Sequence, residues 1–128
     1  MVFHSPSYGE IDLSAVIGHV QTYLKSAPNQ QHKIIIGSDS SLVQTGRAEF
    51  VTALVVHRVG RGGIYFWHKN TSEKMAILRD RMYREALYSL ELAQKLVKEK
   101  LLDFGDGTAD WLEIHVDIGE NGPTRQMI

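Results

Sequence analysis

Apolar positions recur with a helical period early in the chain: in DLSAVIGHVQTYLKS, Leu13, Val16, Ile17, Val20 and Leu24 share one face. Asp12 stands where an N-cap belongs and APNQQ ends the run, which predicts a helix over residues 13–25. The pattern then changes. KIIIGSD is a short β-branched stretch of the kind that fills a sheet centre covered on both faces. EFVTALVVHRV and IYFWHK read as two further strands with GRGG between them. Those glycines suit a hairpin turn, because a phosphate-cradling loop needs a helix directly after it.

The segment NTSEKMAILRDRMYREALYSLELAQKLVKEKLL is the longest periodic one. Met75, Leu78, Met82, Ala86, Leu90, Ala93 and Val97 form an apolar stripe, and Asn70 with Glu73 makes a capping pair at its start. DFGDGTAD is read as a solvent-facing loop, since its aspartates lack the alternate-position spacing of a calcium loop. WLEIHVDIG alternates Leu112, Ile114 and Val116 against Glu113, His115 and Asp117, which predicts a strand with one apolar side. ENGPTRQMI is a turn in which Pro123 opens a last helix.

Three strands joined by short turns pair antiparallel, and the long helix is a crossover that returns the fourth strand parallel to the first. The expected fold class is therefore α/β, a mixed sheet with helices packed on it. One domain covers residues 1–128, with residues 1–32 as an N-terminal helical extension. The last helix stops almost as it begins, so the domain reads as shortened before a fifth strand.

Composition narrows the class without naming a function. A chain of 128 residues, 43% hydrophobic and 9% aromatic, suits one domain with a buried core. The absence of cysteine excludes disulfides and thiolate zinc sites, and the cytoplasm is the expected compartment. The N-terminus has no basic start followed by an apolar stretch, and no segment approaches the run of about 20 apolar residues that spans a bilayer, so no membrane partner is expected. A formal net charge of -1 supplies no overall pull toward nucleic acid. The distribution is uneven, however. Lys69, Lys74, Arg79, Arg81 and Arg84 outnumber Glu73 and Asp80, whereas Asp103, Asp106, Asp110, Glu113, Asp117 and Glu120 face Arg125 alone. A basic helix start beside an acidic cluster suits a phosphate backbone held near a cation, although charge runs are ordinarily solvated faces.

In the expected sheet, Asp39 stands toward the C-terminal end of the first strand and Asp117 toward that of the fourth. Neighbouring strands run about 4.8 Å apart, so the two carboxylates can converge. They then repel unless one is protonated or a cation joins them, and an oxygen-preferring divalent ion such as Mg²⁺ meets that need. Glu85, between Met82 and Ala86 at the edge of the stripe, is aimed at the sheet as a third acid. Each feature alone has an ordinary role. A strand-ending Ser-Asp-Ser is commonly a turn or cap, and a lone strand histidine such as His115 is usually only hydrogen-bonded. Tyr65, Phe66, Trp67 and Trp111 are core residues before they are base-stacking ones.

IIIGSDSS, then two strands, a helix carrying RMYREALYSLELAQKL, and LEIHVDIGENG together resemble the ribonuclease H-like superfamily, and more closely the YkuK family of predicted ribonuclease H-like proteins. The resemblance covers most of the chain after residue 32. It implies a ribonuclease H-like mixed sheet and a metal-dependent nuclease. In that superfamily an aspartate on the first strand, a glutamate on the first crossover helix and an aspartate ending the fourth strand bind two Mg²⁺ (or Mn²⁺) ions and hydrolyse phosphodiesters; Asp39, Glu85 and Asp117 match. The implied partner is nucleic acid, as RNA, an RNA/DNA hybrid or a structured form. Ser38, Ser40 and Ser41 would bond a substrate phosphate or orient Asp39, and Arg79, Arg81 and Arg84 would contact the backbone. The superfamily's fourth acid lies on or beyond a fifth strand, and Glu120 is read as a turn residue.

Two other functions are compatible with this fold. One is a catalytically inactive module that binds nucleic acid or protein through the basic helix. The other follows from the similarity of DIGENG to the D-x-G turn of actin-like nucleotide-phosphate binders, where the turn belongs to a hairpin unit of a much longer chain. The sequence leaves the oligomeric state open.

Overall fold

Chain order in the computed structural model, which describes residues 1–44, 46–75, 77–99 and 112–115, is β1 (Val2–Ser5), β2 (Gly9–Asp12), α1 (Leu13–Ser26), β3 (His32–Gln44), β4 (Arg47–Arg58), β5 (Gly63–Lys74), α2 (Leu78–Lys98) and β6 (Leu112–His115). The strands form one six-stranded sheet in the order β2-β1-β5-β4-β3-β6. Every pairing is antiparallel except β3 with β6, which run parallel from Ile34 opposite Leu112 to Gly37 opposite His115. This is the expected mixed sheet, with α2 as the crossover.

Both helices lie on one face of it. Val16, Ile17 and Val20 of α1 meet Leu92, Ala93 and Leu96 of α2 over Ile34, Ile36, Leu54, Val56 and Phe66, with Phe3 from β1 closing the cluster. Strand alternation explains the selection: in β4, Ala48, Phe50, Thr52, Leu54 and Val56 are buried, while their neighbours Glu49, Val51, Ala53 and Val55 turn to the other face. No helix among the described residues is long and apolar enough to cross a membrane.

Asp12 caps α1 as expected, its Oδ1 accepting from the Ala15 amide at 2.8 Å. The other end of α1 is held by Arg58 at the end of β4. Its guanidinium lies 4.0 Å from the Tyr23 ring and donates to the Tyr23 carbonyl, the Ser26 hydroxyl and His32 Nε2 at 2.7, 2.9 and 3.0 Å. Burial, and then the Arg58 charge, push the His32 pKa below its ordinary 6.5. The GRGG hairpin turn is also realised between β4 and β5, with Gly60 and Gly62 at φ 77° and 82°. A side chain at Gly63 would strike the Val56 carbonyl.

Five features differ from the sequence reading. The first 12 residues add a hairpin, β1 with β2, to the sheet, so the N-terminal extension is not helical throughout. Four-residue strands bounded by Pro6 and Ser7 are too short to give a periodic signal. Second, β3 continues past its apolar run to Gln44, which sets Asp39 within the strand rather than near its end. Third, Asn70 and Glu73 belong to β5; α2 starts at Leu78 behind Ile77 without a side-chain cap. Fourth, the buried face of α2 is Glu85, Ser89, Leu92, Ala93 and Leu96; of the predicted stripe Ala93 is buried there and Val97 packs against the core, while Leu78 and Leu90 are exposed. The helix carries apolar residues on two sides, and a 3.6-residue period cannot tell which side meets the sheet. Trp67 and Tyr65 also leave the core: they occupy the face opposite the helices, where Trp67 stacks on His4, while Phe66 is fully buried. The loop read at DFGDGTAD, the turn and helix start at ENGPTRQMI, and Asp117 lie outside the described residues.

Candidate active site

Along β3 the residue type changes while the alternation holds. Ile34 and Ile36 face the helices over the apolar half of the core; Ser38 and Ser40, next in the same register, face them over a polar half. The neighbouring elements change with them. The Ser38 hydroxyl lies 2.9 Å from that of Thr52, its partner on β4, and 2.8 Å from that of Ser89 on α2. Asn70 on β5 donates to the Thr52 hydroxyl at 2.9 Å. Three strands and a helix are thus joined by one chain of small hydroxyl and amide groups. Thr52 and Ser89 are fully enclosed, and their bonding to one another's partners satisfies groups that would otherwise be buried unpaired.

Glu85 projects into this polar half one turn before Ser89. It is only 8% exposed, and the Ser40 hydroxyl donates to its Oε2 at 2.5 Å. A short O–H···O⁻ bond of this kind is charge-assisted, so it favours the ionised carboxylate. The amide of Ser40 meanwhile donates to Asp39 Oδ1 at 2.9 Å. Ser40 therefore touches both acids, Glu85 through its side chain and Asp39 through its backbone.

The two acids approach β3 from different sides. Glu85 faces it from α2, while Asp39 is exposed on the opposite pleat face, with Lys33 and its ion-pair partner Glu113 of β6 at 3.8 Å. β6 pairs with β3 only as far as Gly37, so the strand edge at Ser38–Ser40 carries no described neighbour on that side. Among the described residues no group of three or more His, Cys, Asp or Glu is close enough together to hold a metal. The available donors are carboxylates and hydroxyls, which suit a hard divalent cation such as Mg²⁺ and not a thiophilic one.

The remaining sequence candidates divide. Ser38 and Ser40 face inward and are engaged with protein groups, whereas Ser41 is exposed. Arg79 is exposed at the start of α2, and Arg84 lies 5.9 Å from the Tyr88 ring. Arg81 is half-buried, and its Nε is buried without a hydrogen-bond partner among the described residues. Sequence reasoning missed Thr52, Ser89 and Asn70. The signal was present for two of them: Thr52 is the polar residue in the buried phase of β4, and Ser89 follows Glu85 at i+4 on a helix face that continues with Leu92 and Leu96.

A central antiparallel run β5-β4-β3 with a helix-connected strand added parallel to β3, and acids on β3 and the crossover helix, defines a ribonuclease H-like domain. The sequence model of the family described as Ribonuclease H-like matches residues 15–128, and the chain belongs to that family. It is also similar to "Uncharacterized protein YkuK" of Bacillus subtilis (strain 168), 27% identical over 136 residues that cover 99% of this chain and 78% of that protein. No solved structure gives a significant match.

Proposed function

We propose that this chain is a cytoplasmic metal-dependent nuclease in which Asp39 and Asp117 hold Mg²⁺ or Mn²⁺, with Glu85 joined to that site through Ser40 rather than by direct approach, and which hydrolyses phosphodiester bonds in RNA, an RNA/DNA hybrid or a structured nucleic acid. The observation that carries this reading is the parallel register of β3 and β6. Pairing runs to Gly37 opposite His115, and Asp39 and Asp117 each follow two residues later in the sequence. Two residues along a strand preserve the pleat face, so continuing this register would bring the two carboxylates side by side at about 4.8 Å strand spacing. A divalent ion held there would supply an activated water and charge balance for the leaving oxygen.

The chain's own groups prepare the site. Ser40 refers the helix acid and the strand acid to one residue, and the Ser38–Thr52–Asn70–Ser89 chain holds α2 at fixed spacing from β3. Arg79, Arg81 and Arg84 add positive charge along the same helix, which suits a phosphate backbone.

Calorimetric titration with Mg²⁺ and Mn²⁺ tests the metal claim: wild type binds, while Asp39→Asn and Asp117→Asn do not. Absence of binding in the wild type, or binding untouched by both substitutions, would remove it. Labelled RNA, DNA and hybrid should be cut by the wild type and spared in chelator. Binding of nucleic acid without cleavage would favour the non-catalytic module.

A further inference from the structure

α2 has a second apolar face that its packing on the sheet does not use. Tyr83, Leu87 and Leu90 are 58%, 41% and 46% exposed. At 3.6 residues per turn they fall within an arc of about 60°, on the side of the helix away from Glu85, Ser89, Leu92 and Leu96. Their spacing of four and then three residues is that of a helix–helix seam, and the side chains cost burial energy only if they stay in water.

The charges beside the ridge specify what covers it. Arg84 and Glu91 stand at equal distances on either side of the midpoint between Leu87 and Tyr88, and so do Asp80 and Lys95. Laid antiparallel on a second copy of itself about a twofold axis at that midpoint, α2 sets Arg84 against the partner's Glu91 and Asp80 against the partner's Lys95, each pair occurring twice. A parallel arrangement would instead set like charge on like. The same antiparallel overlap brings Leu87 beside the partner's Leu87 at the centre, with Leu90 of each copy next along the seam. These two pairs invert in sign about the middle of α2, and such self-complementarity is the requirement of a twofold interface.

We infer that two copies of this chain associate through the outer face of α2, antiparallel, with Leu87 and Leu90 at the centre and Arg84–Glu91 pairs flanking them. The inference uses the opposite side of the helix from Glu85 and shares with the nuclease reading only Arg84, whose role here is read by sedimentation and not by activity. Sedimentation equilibrium of the full chain over a concentration series is the test, with thermal melting as the folding control. The wild type should sediment at twice the 14.4 kDa chain mass, and Leu87→Lys should raise the dissociation constant at least tenfold without lowering Tm, because Leu87 is not a core residue. Arg84→Glu and Glu91→Arg should each weaken the dimer, and the two together should restore it. A wild-type monomer throughout the series, a dimer indifferent to Leu87→Lys, or a double reversal no better than the single ones would each overturn the inference.

Discussion

Ser40→Ala removes one hydroxyl and isolates a single contact. Glu85 is nearly enclosed, and the Ser40 hydroxyl is its hydrogen-bond donor on β3 at 2.5 Å. A hydrogen bond to a charged group contributes about 2 kcal/mol, more than a neutral one, because deleting the donor leaves a desolvated charge with less compensation. For a domain of this size that loss corresponds to about 8 °C in Tm. Glu85→Gln keeps the shape and removes the charge, so Ser40→Ala in that background should cost only about 1 kcal/mol. The double-mutant cycle should then give a coupling of about 1 kcal/mol between the two positions. Thermal melts followed by circular dichroism at neutral pH in chelator supply all four corners, and chelator keeps any bound cation from adding its own stabilisation. A Tm change below about 2 °C for Ser40→Ala, or equal costs in both backgrounds, would refute the claim that Ser40 holds an ionised Glu85.

Thr52→Val is nearly isosteric but removes the hydroxyl shared by Ser38 and Asn70, and should destabilise by about 1–3 kcal/mol in denaturant melts with an unchanged m-value. Gly63→Ala drives a Cβ into the Val56 backbone carbonyl and should lower Tm by more than Gly18→Ala, whose added methyl meets nothing within 4 Å; equal effects would remove the steric argument. Neutral His32 accepts from Arg58, and its folded pKa is lowered, so the unfolded chain takes up the proton first as pH falls. Its contribution is complete above pH 6.5 and is lost as pH drops through the folded value; Tm should fall more steeply below pH 6.5 in the wild type than in His32→Gln.

Element types were legible where the periodic signal was long: the β3–β4–β5 meander, both helices and the parallel return of β6 follow from alternation, turn glycines and crossover length. What the sequence concealed was relational. The helical stripe was chosen by counting apolar residues, yet the face that meets the sheet carries Glu85 and Ser89, because the N-terminal half of α2 lies over hydroxyls instead of isoleucines. Asp39 and Glu85 could be named as candidates from residue type and place in the chain, but their connection through Ser40 depends on which pleat face each occupies. The aspartate on β3 was expected to sit near Glu85 on one side; the strand runs on past it and separates them across its own thickness.

The parallel pairing of β3 with β6 also bears on when the molecule becomes competent. The β3–β4–β5 meander closes through short turns, whereas residues 34–37 and 112–115 are separated in sequence by β4, β5 and the whole of α2. Long-range pairing of this kind is slow and late, since loop closure precedes any gain from the contacts. A partly folded chain can therefore hold the Ser40 junction while still lacking its outer strand, and the proposed hydrolysis would begin only on completion of the last strand pair.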